Sequence, residues 1–97
     1  MVVISRGTLN EYKIQYPEAS DAITKWFLEA STSDWANLNE IRSTFNSVDY
    51  FGNGLFIFNI MGNHYRLIVR IIFRTRTIFI RFFGTHSEYD KVNISKL

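Results

Sequence analysis

The 97-residue sequence contains no cysteine and a single proline, Pro17. Without thiols there is no disulfide frame, no cysteine-ligated zinc and no thiol nucleophile. No apolar run approaches the roughly 20 residues that cross a bilayer as a helix. The opening Met1-Val2-Val3-Ile4-Ser5-Arg6 lacks the charged head and long apolar stretch of a signal peptide, so a cytoplasmic location without membrane contact is expected. Acids are scarce in the second half. After Asp49 the only ones are Glu88 and Asp90. That scarcity counts against a two-metal nuclease, which needs several clustered carboxylates, and neither a metal nor a cofactor is expected.

The length suits one hydrophobic core, so residues 1–97 read as a single domain. Hydrophobic residues make up 46% and charged residues 21%, which argues against wholesale disorder. The net charge of +2 conceals a division. Residues 1–50 carry 4 Lys/Arg against 7 Asp/Glu, and residues 51–97 carry 7 against 2. From Phe51 to Ser87 there are five arginines and no acid. Such polarity fits a basic face for an anionic partner, or two halves that neutralise each other in the fold; charge alone leaves both open.

The pattern predicts an α+β domain, with an N-terminal strand and two to three helices packed on one face of an antiparallel sheet, and a short C-terminal helical segment. Val2 to Ile4 is a β-prone start. Ser5 is placed to cap a helix that runs to about Tyr16 and ends before Pro17. Ala22, Ile23, Trp26, Phe27 and Ala30 form one apolar face at helical period, and Ser31 to Ser33 break that second helix. A third helix is expected over Leu38 to Phe45, followed by a turn-rich connection from Asn46 to Gly54. Leu55 to Ile60, His64 to Arg74 and Thr77 to Phe83 are rich in β-branched and aromatic residues and read as strands. Gly62-Asn63 suits a two-residue type II′ turn, and the next turn centres on Thr75-Arg76. Trp26, Phe27, Trp35, Phe56, Phe58 and Tyr65 are expected in the core. Glu18, Asp21 and Glu29 are expected on solvated helix faces.

These turns imply a register. Ile60 would face Tyr65, Phe58 Leu67 and Phe56 Val69, with Asn59 opposite Arg66 and Leu55 opposite Arg70. In the next hairpin Phe73 would face Ile78, Val69 would face Phe82, and Arg70 would face Arg81. Side chains alternate faces along a strand, so the face away from the helices would carry Asn59, His64, Arg66, Arg70, Arg81 and Phe83. Three arginines gathered without an acid fit a phosphate site, because the guanidinium fork matches phosphate oxygens. Beyond the last strand, His86 and Tyr89 are three residues apart, side by side if that turn is helical. An imidazole and a phenol beside arginines would complete a metal-free phosphodiester site. Arginine would stabilise charge on the phosphorane, and a base and an acid would serve the 2′-hydroxyl and the 5′-oxygen.

At these positions the sequence resembles the HigB family of bacterial toxins, within the RelE-like group of type II toxin–antitoxin systems. The resemblance is carried by Val3-Ile4-Ser5-Arg6, Asp34-Trp35, Phe58-Asn59-Ile60-Met61-Gly62-Asn63-His64-Tyr65-Arg66-Leu67-Ile68, Ile80-Arg81-Phe82 and Gly84-Thr85-His86-Ser87-Glu88-Tyr89-Asp90-Lys91, in matching order over nearly the whole chain. It implies a RelE-like fold and an endoribonuclease that cleaves mRNA on the translating ribosome by 2′-hydroxyl attack, without metal or cofactor. It implies a HigA-like helix-turn-helix antitoxin as partner, with operator DNA bound only through that complex. Arg66, Arg81, His86 and Tyr89 fall on family motif positions and are the expected catalytic set. Asn59, His64, Arg70, Arg74 and Lys91 are expected to hold the RNA backbone, Arg70 on the register argument alone. Where the family often has Gly-Gly-Asn-Lys, this chain has Met61-Gly62-Asn63-His64, so a permanent charge becomes a titratable imidazole. Two rival readings use the same basic face: a non-catalytic RNA- or ribosome-binding module, and an interaction protein that docks an acidic partner.

Overall fold

The computed structural model describes the backbone of residues 1–97 and every side chain except that of Arg6. In chain order the elements are β1 (Val2–Ile4), α1 (Arg6–Gln15), a 3-10 turn (Pro17–Ala19), α2 (Ser20–Thr32), α3 (Leu38–Thr44), β2 (Val48–Gly52), β3 (Leu55–Ile60) and β4 (Tyr65–Ile72). A second 3-10 turn (Phe73–Thr75), β5 (Thr77–Thr85), α4 (His86–Asp90) and a last 3-10 turn (Ile94–Lys96) complete the chain. The architecture is the expected α+β, with one five-stranded sheet in the order β1-β5-β4-β3-β2. The sheet is mixed rather than wholly antiparallel, because β1 runs parallel to β5.

Local chemistry explains most boundaries. Tyr16, before Pro17, leaves the helical region at φ −125° and ψ 71°. Ser5 precedes α1 in the left-handed region, at φ 74°, and makes no side-chain cap, so the expected hydroxyl cap does not form. The serine run does not stop α2 at Ser31. Thr32 and Ser33 hydroxyls donate back to the carbonyls of Leu28 and Glu29, at 2.7 and 2.6 Å, and the helix continues through Thr32. The carboxamide oxygen of Asn37 caps α3, accepting from the Glu40 N–H at 3.1 Å. The expected connection from Asn46 to Gly54 contains an edge strand, β2, paired antiparallel with β3. Only its end behaves as a turn, with Gly52 and Gly54 at φ 119° and 75°.

The β3–β4 hairpin has the expected register: Ile60 faces Tyr65, Phe58 Leu67, Phe56 Val69, Asn59 Arg66 and Leu55 Arg70. Gly62 takes φ 65°, and the His64 N–H donates to the Met61 carbonyl at 3.3 Å. The β4–β5 hairpin departs from expectation twice. Its loop is wider, with a 3-10 turn over Phe73–Thr75 and Arg76 left-handed at φ 54°, so Ile71 faces Ile78 and Val69 faces Ile80. That two-residue displacement preserves the faces. The register then shifts again between Ile68 and Val69, where β5 carries one extra residue, Arg81, as a β-bulge. Beyond the bulge Leu67 faces Phe83 and Ile68 faces Phe82. Phe83 therefore joins the helix-side core and Phe82 the opposite face, the reverse of the expected assignment. Arg70 lies opposite Phe79, not Arg81.

Both faces of the sheet are covered. Trp26, Trp35, Phe56, Phe58 and Tyr65 pack in the main core under the helices, as expected, and Phe27 is partly buried against it. On the other face Leu55, Ile57 and Ile68 lie beneath Phe82, Tyr89, Val92, Ile94 and Leu97. This face is not the open basic surface the sequence suggested. Its apolar centre requires cover, and the C-terminal segment supplies it. Gly84, opposite Arg66, lets α4 approach: a Cβ there would meet a Phe82 ring atom at 2.8 Å and the Glu88 Cβ at 3.2 Å. Gly84→Ala is expected to destabilise the fold by about 1–3 kcal/mol through overpacking. Thermal unfolding measures this, and an unchanged melting temperature contradicts the close packing of α4 on β5.

Candidate active site

The site begins where β5 ends. The Thr85 hydroxyl accepts from the Glu88 N–H at 3.2 Å, and the Glu88 carboxylate accepts from the Thr85 N–H at 2.8 Å. This reciprocal capping box starts α4 at a defined residue. The Tyr16 hydroxyl, at the end of α1, donates to the same carboxylate at 2.8 Å. The Thr85 N–H foremost, and then the Tyr16 hydroxyl, hold the Glu88 carboxyl below the usual carboxylate range. Desolvation, followed by the bond to Glu88, pushes the Tyr16 phenol up to about 12.

With α4 so fixed, His86 and Tyr89 meet edge to face, their ring centroids 6.4 Å apart, as their spacing predicted. His86 Nδ1 lies 3.3 Å from an Asp90 carboxylate oxygen. The His86 N–H donates to the His64 carbonyl at 3.1 Å, just beyond the Tyr65–Thr85 pair that ends the β4–β5 ladder. A depression of about 390 Å³ opens here, lined by Glu18, Asn63, His64, Thr85, His86 and Ser87 among others. Glu18 is exposed, as expected, and also accepts a hydrogen bond from the Tyr65 hydroxyl.

Arg66 is the buried charge of the site, only 9% exposed. Its guanidinium donates to the carbonyls of Asn63 and Tyr65 at 3.1 and 3.2 Å, and to Asn63 Oδ1 at 3.3 Å. Its central carbon lies 5.7 Å from the centroid of the Tyr89 ring. Among the described residues the ion pairs are Arg76–Asp34 and His86–Asp90, so Arg66 meets no carboxylate. A buried cation held only by neutral acceptors and an aromatic face keeps its charge available to an incoming anion.

The other expected residues are dispersed. Arg81 is exposed at the bulge, its guanidinium carbon 5.5 Å from the Phe79 ring centroid. Four strand residues, about 13 Å, separate it from Thr85. Arg70 donates to the Asn53 carbonyl and, at 3.1 Å, to the Leu97 backbone oxygen, fastening the C-terminal segment. The expected convergence of Arg66, Arg70 and Arg81 therefore does not occur, because the bulge and the wider loop change the register. Arg74 is exposed in the turn at the far end of β4. Asn59, beside Arg66 in the ladder, donates its amide to the Ser47 hydroxyl at 2.7 Å. Lys91 is exposed just after α4. Sequence reasoning passed over Asn63, which had seemed only a turn residue, and the Tyr16–Glu88–Thr85 clamp. The Thr85-x-x-Glu88 spacing was a visible sign of the latter.

A protein-family model described as HigB_toxin, RelE-like toxic component of a toxin-antitoxin system, matches residues 19–92. The chain is 28% identical over 94 residues to a protein of Escherichia coli O6:H1 named mRNA interferase HigB, covering 95% of this chain and 91% of that one. It is 24% identical over 92 residues to the mRNA interferase toxin HigB of Escherichia coli K12, covering 93% and 88% of the two chains. An mRNA interferase HigB of Shigella flexneri matches to the same extent.

The clamp on α4 has a pH signature. The Glu88 carboxyl is depressed in the fold, so its contribution is present above the ordinary carboxylate pKa of 4.5 and is lost as pH falls through the folded value. The raised Tyr16 phenol contributes below its ordinary 10.0, and that stability is lost as pH rises from there through about 12. Thermal stability of Glu88→Gln, compared with the parent across pH, is expected to lose the acid-side step that Glu88 supplies. Identical acid limbs contradict the clamp.

Proposed function

The chain belongs to the HigB family of RelE-like toxins, and from that membership we propose that it is the toxin of a type II toxin–antitoxin system, an endoribonuclease that cuts mRNA. The observation that supports this activity most is Arg66, a buried guanidinium without a carboxylate among the described residues, next to Tyr89 and two residues along the chain from His64, which is hydrogen-bonded to His86. In the proposed reaction the 2′-hydroxyl attacks the adjacent phosphate without a metal ion. Arg66 opposes the charge that builds on the phosphorane, and its near absence of solvent strengthens that interaction. The Tyr89 ring and Asn63 fix the guanidinium before substrate arrives. His86 carries a proton. Asn59 and Lys91 border the same end of the sheet and hold the RNA backbone, and His64 stands beside them at the depression. Arg81 and Arg74 extend the attraction for RNA along β5 and the hairpin loop, whereas Arg70, tied to Asn53 and Leu97, serves the fold.

The setting proposed for this activity is the cytoplasm, with mRNA cut on the translating ribosome. Among the described residues no helix is long and apolar enough to cross a membrane. A HigA-like helix-turn-helix antitoxin is the proposed neutralising partner, with operator DNA reached only through the complex.

Induced expression followed by primer extension on cellular mRNA tests the activity. The parent chain is expected to arrest growth and to create new mRNA 5′ ends. Arg66→Lys keeps the charge but loses the planar fork, and is expected to slow cleavage by about 10²–10³-fold. Growth arrest without new 5′ ends would favour the non-catalytic binding module instead. Full activity in Arg66→Lys would remove Arg66 from the reacting centre.

A further inference from the structure

Cleavage by an internal 2′-hydroxyl moves two protons: one leaves the attacking oxygen and one arrives at the departing 5′-oxygen. His86 accounts for one of them. We propose that His64, whose carbonyl accepts the His86 N–H, is the second proton-transfer residue, and that Tyr89 positions Arg66 instead of carrying a proton. This rests on the endoribonuclease reading above and specifies its chemistry.

Two independent features of the structure carry the assignment. The first is backbone anchorage. Tyr65 and Thr85 are the last pair of the β4–β5 ladder, and just beyond it the His86 N–H, at the start of α4, donates to the His64 carbonyl at 3.1 Å, so the backbones of the two histidines are held together. Two imidazoles anchored at one such point can flank one phosphate. The second is access. His64 and His86 both line the 390 Å³ depression; Tyr89 and Arg66 do not, but Arg66 is bonded to Asn63, which does. Tyr89 instead packs its ring against the cluster of Leu55, Ile57 and Ile68 and beneath Arg66. Asp90 faces His86 Nδ1, which leaves Nε2 for the substrate. The other charged groups around the pair are Glu18 from the 3-10 turn, Glu88 on α4 and Arg66 on β4.

The steps balance. A neutral imidazole takes the 2′-hydroxyl proton as the O2′–P bond forms. The imidazolium of the other histidine gives its proton to O5′ as the P–O5′ bond breaks. The products are a 2′,3′-cyclic phosphate end and a 5′-hydroxyl end, and the two histidines have exchanged protonation states, which solvent resets. A simple phosphate grip predicts differently at residue 64: there a lysine would serve at least as well as histidine.

The decisive experiment compares the parent chain with His64→Gln, His64→Lys and His86→Gln. The substrate is one target RNA, presented on the ribosome and free. A second form of the same RNA carries a bridging 5′-sulfur at the scissile bond, whose thiolate leaves without a proton. His64→Gln and His64→Lys are each expected to lower kcat by about 10²-fold or more with KM little changed. Each histidine variant should lose one limb of the parent's bell-shaped profile of rate against pH. The sulfur substrate should restore the variant that lacks the acid and leave the variant that lacks the base slow. Matched melting temperatures confirm that the variants fold. If His64→Lys cuts at the parental rate with the parental profile, the proposal is overturned and residue 64 is a charge contact. If His64→Gln and His86→Gln respond alike to the sulfur substrate, the division of labour is likewise overturned. If the parent chain cuts neither RNA, the endoribonuclease reading itself falls and this inference falls with it.

Discussion

An extra residue in β5 governs where everything else in this molecule lies. Arg81 has no partner in β4, and the ladder steps past it between Ile68 and Val69. Because side chains alternate along a strand, one inserted residue exchanges the two faces beyond it. Phe83 is thereby turned toward Tyr12, Tyr16 and Tyr65, and Phe82 toward the opposite side. The same step leaves Gly84 opposite Arg66, with no side chain to keep α4 away. A β5 without the bulge would place Phe82 under the helices and the arginines in a row.

The covered second face follows from this arrangement. Leu55, Ile57 and Ile68 are apolar on the side away from the main helices, and the segment from His86 to Leu97 folds back over them. Covering that centre separates the positive charges. Arg70 is drawn into fastening the segment and Arg81 remains outside over Phe79. Arg66 is enclosed near the strand end, with carbonyl, carboxamide and aromatic partners but no acid. Enclosing a cation in this way is costly for the free protein, and an anion that reaches it relieves the cost. The stability the fold gives up at Arg66 is thus linked to the affinity proposed for a phosphate.

Much of this was legible before any coordinates. The apolar period of Ile23, Trp26 and Ala30 located α2, and Gly62-Asn63 with its flanking strands set the β3–β4 register. The spacing of His86 and Tyr89 placed them together. The bulge was not legible, since nothing in Ile80-Arg81-Phe82 distinguishes a bulged arginine from a paired one, and the choice depends on packing at both faces at once. β2 was hidden for a related reason: five residues beside two glycines become a strand only because β3 offers an edge. The arginines accordingly had the right residue types but the wrong neighbours. Arg66 remained with the site because the first hairpin was read correctly, and Arg70 and Arg81 left it because the second was not.

Anion recognition is proposed to reside at Arg66 and the strand end, not along a continuous basic face. The most direct measurement is a nuclear magnetic resonance titration of the whole chain with a short RNA made uncleavable by a 2′-deoxy sugar at the scissile position, following arginine Nε–H and imidazole signals. Saturable shifts are expected at Arg66, His64 and His86, with Arg70 unmoved. Shifts concentrated at Arg70 and Arg74, with Arg66 silent, would contradict this placement.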